Sequence, residues 1–199
     1  MSTVSQKQQE AKREIQLFEK WSFKDIKVND LGLQRYISLR PVVTPHSMGR
    51  HEHKRFRKAN VNIVERIANN LMRPGKNAGK KARTMNMVKH ALEIAALRTG
   101  KNPIEILVKA VENSAPCEDT TRISYGGIVY HQSVDVAPQR RVDLAVRHIC
   151  EGARHASLNN PRSIEECVAE ELILAANHDV KSFAVAKRNE IERVAQASR

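Results

Sequence analysis

NPIEILVKAVENSAPCEDTTRISYGGIVYHQSVDVAPQRRVDLAVRHI, residues 102–149, changes its hydrophobic period twice. It opens with Asn102 as a helix cap and Pro103 at the first helical position, where a missing N–H costs nothing. Ile104, Leu107, Val108 and Val111 follow at i, i+3, i+4 and i+7, the stripe of a core-facing helix that Pro116 ends. From Thr120 to Val136 the period becomes two, and Gly126-Gly127 supply the positive φ that both positions of a two-residue hairpin turn require. This turn sets Tyr125 opposite Ile128 and Ile123 opposite Tyr130 on one side, with Arg122 opposite His131 on the other. After Pro138 the helical period returns through Val142, Ala145, Val146, Ile149 and Ala153. A lone hairpin is marginal in water, so this one must lean on the helices or on a partner. At about 3.3 Å per residue it projects on the order of 20 Å.

Working outward, Ile63, Ile67 and Leu71 mark a helix that stops before Pro74-Gly75, and Met85, Val88, Leu92 and Ala95 mark another that ends at Gly100. Downstream, Asn159-Asn160-Pro161 breaks the chain's helical run. Ser163 and Glu166 then form a capping box for a helix carrying Ile164, Cys167, Val168 and Leu172. A last helix runs from about Ser182 almost to the C-terminus. The expected fold is mainly α: a bundle of about six helices with one protruding two-stranded β-hairpin arm at about 120–136, in a core spanning residues 51–199. Residues 1–50 differ and read as a partly irregular N-terminal extension lying along that core. Lys7 to Glu19 reads as a short charged helix; Trp21, Phe23, Ile26, Val28 and Leu31 are irregularly spaced, and Pro41 and Pro45 interrupt regular structure.

Of 199 residues, 41% are hydrophobic, enough for a packed core. No apolar run approaches the roughly 20 residues that cross a bilayer, and MSTVSQKQQEAKREIQ lacks the apolar stretch of a secretory signal. A cytoplasmic protein without a membrane partner is expected. The net charge of +12 attracts polyanions. Nucleic acid is the default partner; an acidic membrane surface ranks second because no lipid-facing amphipathic helix stands out. Cys117, Cys150 and Cys167, odd in number and without a CxxC, argue against a disulfide framework or a zinc site and are expected to be small buried apolar residues.

The charge is clustered. Segment 50–58 holds Arg50, Lys54, Arg55, Arg57 and Lys58 against a single Glu52. Segment 75–83 holds Lys76, Lys80, Lys81 and Arg83 with no acid, and it leads into a helix N-terminus, which favours phosphate. On the helix after the hairpin, Arg140-Arg141, Arg147-His148 and Arg154-His155 recur every seven residues. Read at two turns per repeat, the pairs form one stripe opposite the apolar face that can track a phosphate backbone. Arg140 and Arg141 also occupy the first turn, where the helix dipole disfavours cations and an external anion would offset the cost. Aromatics are only 4% of the chain, which points away from base-stacking single-strand binders and toward structured RNA held through phosphates and 2′-hydroxyls. For Tyr125 and Tyr130 two readings stay open: stacking on a base, or packing against each other's strand.

Enzymatic signatures are missing. GKNAGKK is one residue short of a phosphate-binding P-loop, with Lys81 in place of the Ser/Thr, and it is not the clamp of a KH module. His51-Glu52-His53 lacks the i, i+4 spacing of a zinc helix. Glu165-Glu166 and Glu170-Glu171 read as solvent-facing carboxylates rather than an acid/base pair. Neither catalytic residues, a metal nor a cofactor is expected. The rival class is an architectural DNA-binding protein using a β-arm, but such arms insert an apolar wedge and Gly126-Gly127 offers none.

The block NPIEILVKAVENSAPCEDTTRISYGG with QSVDVAPQRRVDLAVRHI resembles the universal S-seven family of small-subunit ribosomal proteins. KRFRKANVNIVERIANNLMRPGKNAGKK and the ending VAKRNEIERVAQASR resemble it too, and the longer N-terminal part is similar to the archaeal and eukaryotic branch, whose eukaryotic member is called S-five. The resemblance spans roughly Trp21 to Arg199. It implies a structural constituent of the small subunit that binds the 3′ major (head) domain of its ribosomal RNA and supports head assembly among neighbouring small-subunit proteins. It also implies a cytoplasmic location, with nucleolar passage if the source is eukaryotic. By the resemblance, Lys76, Lys80, Lys81, Arg140 and Arg141 match RNA-contacting basic positions. Arg122 and the Gly126-Gly127 tip match an arm that reaches exit-site tRNA and the messenger exit path, and Arg199 matches a terminal basic residue near the messenger. Where eukaryotic relatives tend to carry arginines near the tip, this chain has Tyr125, Tyr130 and His131, so stacking or hydrogen bonding replaces charge there.

Overall fold

A computed structural model describes residues 15–73 and 77–199. Gln16–Leu17 (β1) and Trp21–Ser22 (β2) form a small antiparallel hairpin. Leu31–Gln34 (α1) is a single turn capped by Asp30, whose Oδ1 accepts from the Gly32 N–H at 2.8 Å. Six longer helices follow among the described residues: Ile63–Leu71 (α2), Lys81–Thr99 (α3), Pro103–Ser114 (α4), Pro138–Ser157 (α5), Ile164–Ala176 (α6) and Phe183–Ala197 (α7). Between α4 and α5 stand the arm's strands, Glu118–Tyr125 (β3) and Ile128–Asp135 (β4). The mainly helical bundle with one protruding hairpin is therefore the architecture that the periodicity predicts.

Local chemistry sets the helix ends. Asn102 Oδ1 accepts from the Ile104 N–H at 3.1 Å, with Pro103 at the first position. Ser163 Oγ accepts from the Glu166 N–H at 3.3 Å and Ser182 Oγ from the Val185 N–H at 3.3 Å. Gly100 ends α3 at φ 68°, the left-handed conformation glycine adopts without a Cβ penalty. Helix α6 is central, packed against α3, α4 and α5. Its Val168, Ala169, Leu172 and Ala175 are buried with Leu92, Leu107, Val146 and Ile149 in one core.

One acidic residue departs from expectation. Glu171 is buried, and its Oε1 accepts from Ser182 Oγ at 2.7 Å and from the Ala184 N–H at 2.9 Å. It is not solvent-facing, because it supplies the negative charge that the start of α7 favours. The N-terminal region departs too. The reading of Lys7 to Glu19 as a helix fails over its described part, Ile15 to Glu19. Gln16 and Leu17 are extended, and Phe18 and Glu19 turn at φ 51° and 62°. Burial of Leu17 and an edge-on contact of the Phe18 and Trp21 rings at 6.3 Å hold this turn. Leu33 and Ile37 from the same region also enter the core.

The arm has the register predicted from Gly126-Gly127: Tyr125 pairs with Ile128, Ile123 with Tyr130 and Arg122 with His131. Both glycines have positive φ, 59° and 82°. Support comes from the C-terminus. The Ser133 N–H donates to the Ser198 carbonyl at 3.2 Å, the Cys117 N–H donates to Glu192 Oε1 at 2.9 Å, and Arg199 pairs with Glu118. Strands of eight residues carry the tip about 26 Å from this base at ~3.3 Å per residue. Cys150 and Cys167 are buried as expected, whereas Cys117 is exposed at the foot of the arm, outside the helical packing.

Candidate nucleic-acid interface

The chain carries a basic segment, residues 50–58, between two stretches that bury apolar side chains, so the segment is held against the bundle rather than inside it. On one side it faces the first turn of α5 across a cleft of about 590 Å³, lined by His51, Lys54, Arg55, Phe56, Lys58, Gln139 and Arg140 among others. On its other side a cleft of about 440 Å³ is lined by Arg40, Arg50, Arg57 and Glu65. Two regions about 85 residues apart in sequence thus share one cationic surface: Lys58 on the segment pairs with Asp143 on α5.

Acids within the protein neutralise part of this charge. Asp143 also binds Arg66, buried on α2, at 2.7 Å. Arg57 reaches Glu52 at 3.0 Å, and Lys54 reaches it at 3.4 Å. Lys81 pairs with the buried Glu65, which also accepts from the Ser47 hydroxyl at 2.7 Å. Burial pulls the Glu65 carboxyl upward, but hydrogen bonds from Lys81 and Ser47 outweigh it and hold the group below its ordinary value. Lys81 therefore locks α3 to α2, while Lys80 and Arg83 remain exposed without a carboxylate partner among the described residues. Lys76 lies outside the described residues.

The seven-residue pattern on α5 is split by the fold. Arg140, Arg147 and Arg154 are exposed, as is His155. His148 is buried with neither ring nitrogen bonded among the described residues, and Arg141 is mostly buried, its guanidinium 3.0 Å from Asp30 and donating to the Pro116 carbonyl at 3.2 Å. The expected stripe of three pairs is thus a single row of arginines, because adjacent residues on a helix point about 100° apart and the second of each of the first two pairs turns toward the bundle. The dipole cost at the first turn is offset in part internally: Arg140 lies 3.1 Å from Asp119 and Arg141 is held by Asp30.

At the arm, Arg122, Tyr125, Tyr130 and His131 are exposed along with Ile123, Ile128 and Val129. Tyr125 retains 80% of its accessible surface. Arg199 sits at the arm's foot, its guanidinium on Glu118. Sequence reasoning missed Arg40, Asp143 and Gln139. Arg40 is isolated in sequence; Asp143 and Gln139 gain their roles only when segment 50–58 folds over α5. No helix among the described residues is long and apolar enough to cross a membrane.

The sequence pattern of the family described as Ribosomal protein S7p/S5e matches residues 33–199. The chain belongs to that family. Among S7p/S5e relatives, the small ribosomal subunit protein uS7 of Cenarchaeum symbiosum (strain A) is 56% identical over 191 residues, covering 92% of this chain and 96% of that protein. The small ribosomal subunit protein uS7 of Methanothermobacter thermautotrophicus (strain Delta H) is 50% identical over 182 residues, covering 92% and 98%. That of Methanosphaera stadtmanae is 49% identical over 184 residues, again covering 92% and 98%. The S7p/S5e match takes in α2 to α7 and the whole arm, so the basic cleft and the hairpin both fall within it.

Proposed function

We propose that the chain is a structural constituent of the small ribosomal subunit that binds the head domain of the subunit's ribosomal RNA, supports head assembly, and directs its arm toward exit-site tRNA and the messenger exit path. The chemistry is passive. Cations fixed on rigid helices replace the counterions of folded RNA and hold its helices at set angles. Residues 51–199 supply the RNA-binding core, with the first 50 residues as an extension, and neighbouring small-subunit proteins complete the surroundings. The observation that carries the reading is the convergence of Lys54, Arg55 and Lys58 with Arg140, the first member of the α5 arginine row, on one cleft.

The residues divide by task. Arg50, Arg55, Lys80, Arg83, Arg140, Arg147 and Arg154 are free enough to meet phosphates; Lys54, Arg57 and Lys58 do so while sharing Glu52 or Asp143. Arg141 and Lys81 position α5 and α3 through Asp30 and Glu65. The exposed Tyr125 and Tyr130 offer stacking faces at the arm's tip, flanked by Arg122 and His131.

Sedimentation of a cell lysate through a gradient tests the assignment. The protein is expected to travel with small subunits, and a protein confined to the top of the gradient contradicts it. Charge reversal at Lys80 and Arg83 is expected to weaken binding to a head-domain RNA fragment and to flatten its salt dependence.

A further inference from the structure

We infer that the cleft between segment 51–58 and the first turn of α5 receives one unpaired nucleobase of the bound RNA, adenine being the best match. The inference rests on the reading of this face as an RNA interface and specifies what the cleft recognises. Gln139 lines the cleft, is only 7% exposed, and its Oε1 has no hydrogen-bond partner among the described residues. A buried amide oxygen left unpaired is costly, and such atoms in native proteins call for an explanation. The acid beside it cannot help: Asp143 is an acceptor and is already occupied by Arg66 and Lys58. A turn of the Gln139 carboxamide into the cleft brings Oε1 to a ligand donor, and a carboxamide presents acceptor and donor side by side, the pattern that pairs with N6 and N7 of adenine.

Further observations fit a nucleotide, which brings both a phosphate and a flat base. The residue capping α5 is Ala137, which offers no side-chain cap, and Pro138 has no N–H. The N–H groups of Gln139 and Arg140 therefore remain to meet a phosphate, joined by the side chains of Lys54, Arg55 and Arg140. The Phe56 ring is 54% exposed on the cleft, at φ 66°, a backbone conformation that bulky side chains rarely adopt; the Arg55 guanidinium covers it at 4.9 Å. The His51 and His53 rings lie 4.6 Å apart, tilted by 48°, on the same lip. In a chain with four phenylalanines, this gathers flat rings where a base would lie. The volume of about 590 Å³ falls within the range of small-molecule pockets and admits a nucleotide.

The test uses the full-length protein and a transcribed head-domain ribosomal RNA fragment in salt titrations. Gln139→Met and Phe56→Leu are each expected to lower affinity about tenfold at every salt concentration while leaving the slope of log affinity against log salt unchanged, because a base contact releases no counterion. Arg140→Gln is expected to reduce the slope by about one. Unaltered affinity in both Gln139→Met and Phe56→Leu, or a loss matched by a flatter slope, overturns the base pocket while the RNA-binding reading stands; failure of the parent protein to bind refutes that underlying reading instead. In ¹⁵N-labelled protein, AMP is expected to shift the Gln139 side-chain amide signals more than UMP or ribose 5-phosphate does. Equal shifts from all three overturn the assignment to adenine.

Discussion

Replacing Arg140, Arg147 and Arg154 together by glutamine removes the whole exposed arginine row of α5 while keeping side-chain length and most of the helix propensity. Two of the three have carboxylate neighbours: Arg140 lies 3.1 Å from Asp119 and Arg147 3.9 Å from Glu151, with side chains still 63% and 53% exposed. These are surface pairs of small worth, so the bundle is expected to keep its stability within about 1 kcal/mol. The effect on RNA is larger. Each phosphate neutralised contributes about 0.7–0.9 to the slope of log affinity against log salt, so three contribute about 2–2.7. Between about 50 and 200 mM salt the parent should lose ~20- to 40-fold more affinity than the variant. Fluorescence anisotropy with a head-domain RNA fragment reads this directly. Lys109→Gln, on α4 and paired with Glu105 at 2.6 Å, is the control and should leave the slope unchanged. A triple variant whose slope equals the parent's would refute the assignment of this row to phosphate.

Three predictions concern the scaffold. Gly152→Ala places a Cβ 2.7 Å from the Phe183 Cβ, so overpacking of α5 against α7 should outweigh the gain in helix propensity and cost about 1–2 kcal/mol, or ~2–8 °C in Tm; an unchanged or raised melting temperature contradicts this. The His148 imidazole is held below its ordinary value of 6.5 mainly by burial, with Arg147 and Lys187 adding to the effect and Glu151 opposing it. The unfolded chain therefore takes up the proton first. The stability His148 confers is complete above about pH 6.5 and declines as pH falls toward the folded value, so His148→Leu should lessen the loss of Tm between about pH 7 and 5. Cys117 should react with a thiol reagent in the native protein. Cys150, pushed up to about 12 by burial, and Cys167, also raised by burial, should react only after unfolding; simultaneous native reaction of all three thiols would contradict the packing.

Features set by neighbours in sequence were legible: the caps at Asn102 and Ser163, the start of the last helix near Ser182, the stop at Gly100, and the arm's register from Gly126-Gly127. What escaped depends on long-range contacts. Phe18 turns at positive φ partly because its N–H donates to the Val43 carbonyl at 2.7 Å, 25 residues later. Arg141 looks like a surface cation until Asp30 is brought to it, and Glu171 looks like part of an acidic run until α7 folds its start onto it. The basic clusters could be read from composition alone, but not which of their members the protein itself neutralises: Lys81 and Arg141 are tied to Glu65 and Asp30, whereas Arg154 is not tied to any acid among the described residues. Gln139 carried no signal in the sequence, since its meaning arises only where segment 51–58 closes a cleft over it.

The central claim is that RNA lies against segment 50–58, the start of α3 and the exposed row of α5. Ultraviolet cross-linking of the full-length protein to a head-domain ribosomal RNA fragment, read by mass spectrometry, tests it most directly. The account predicts cross-linked peptides from residues 50–58, 80–83 and 139–154. Cross-links confined to the acidic start of α6, residues 164–170, with those three segments clean, would contradict it.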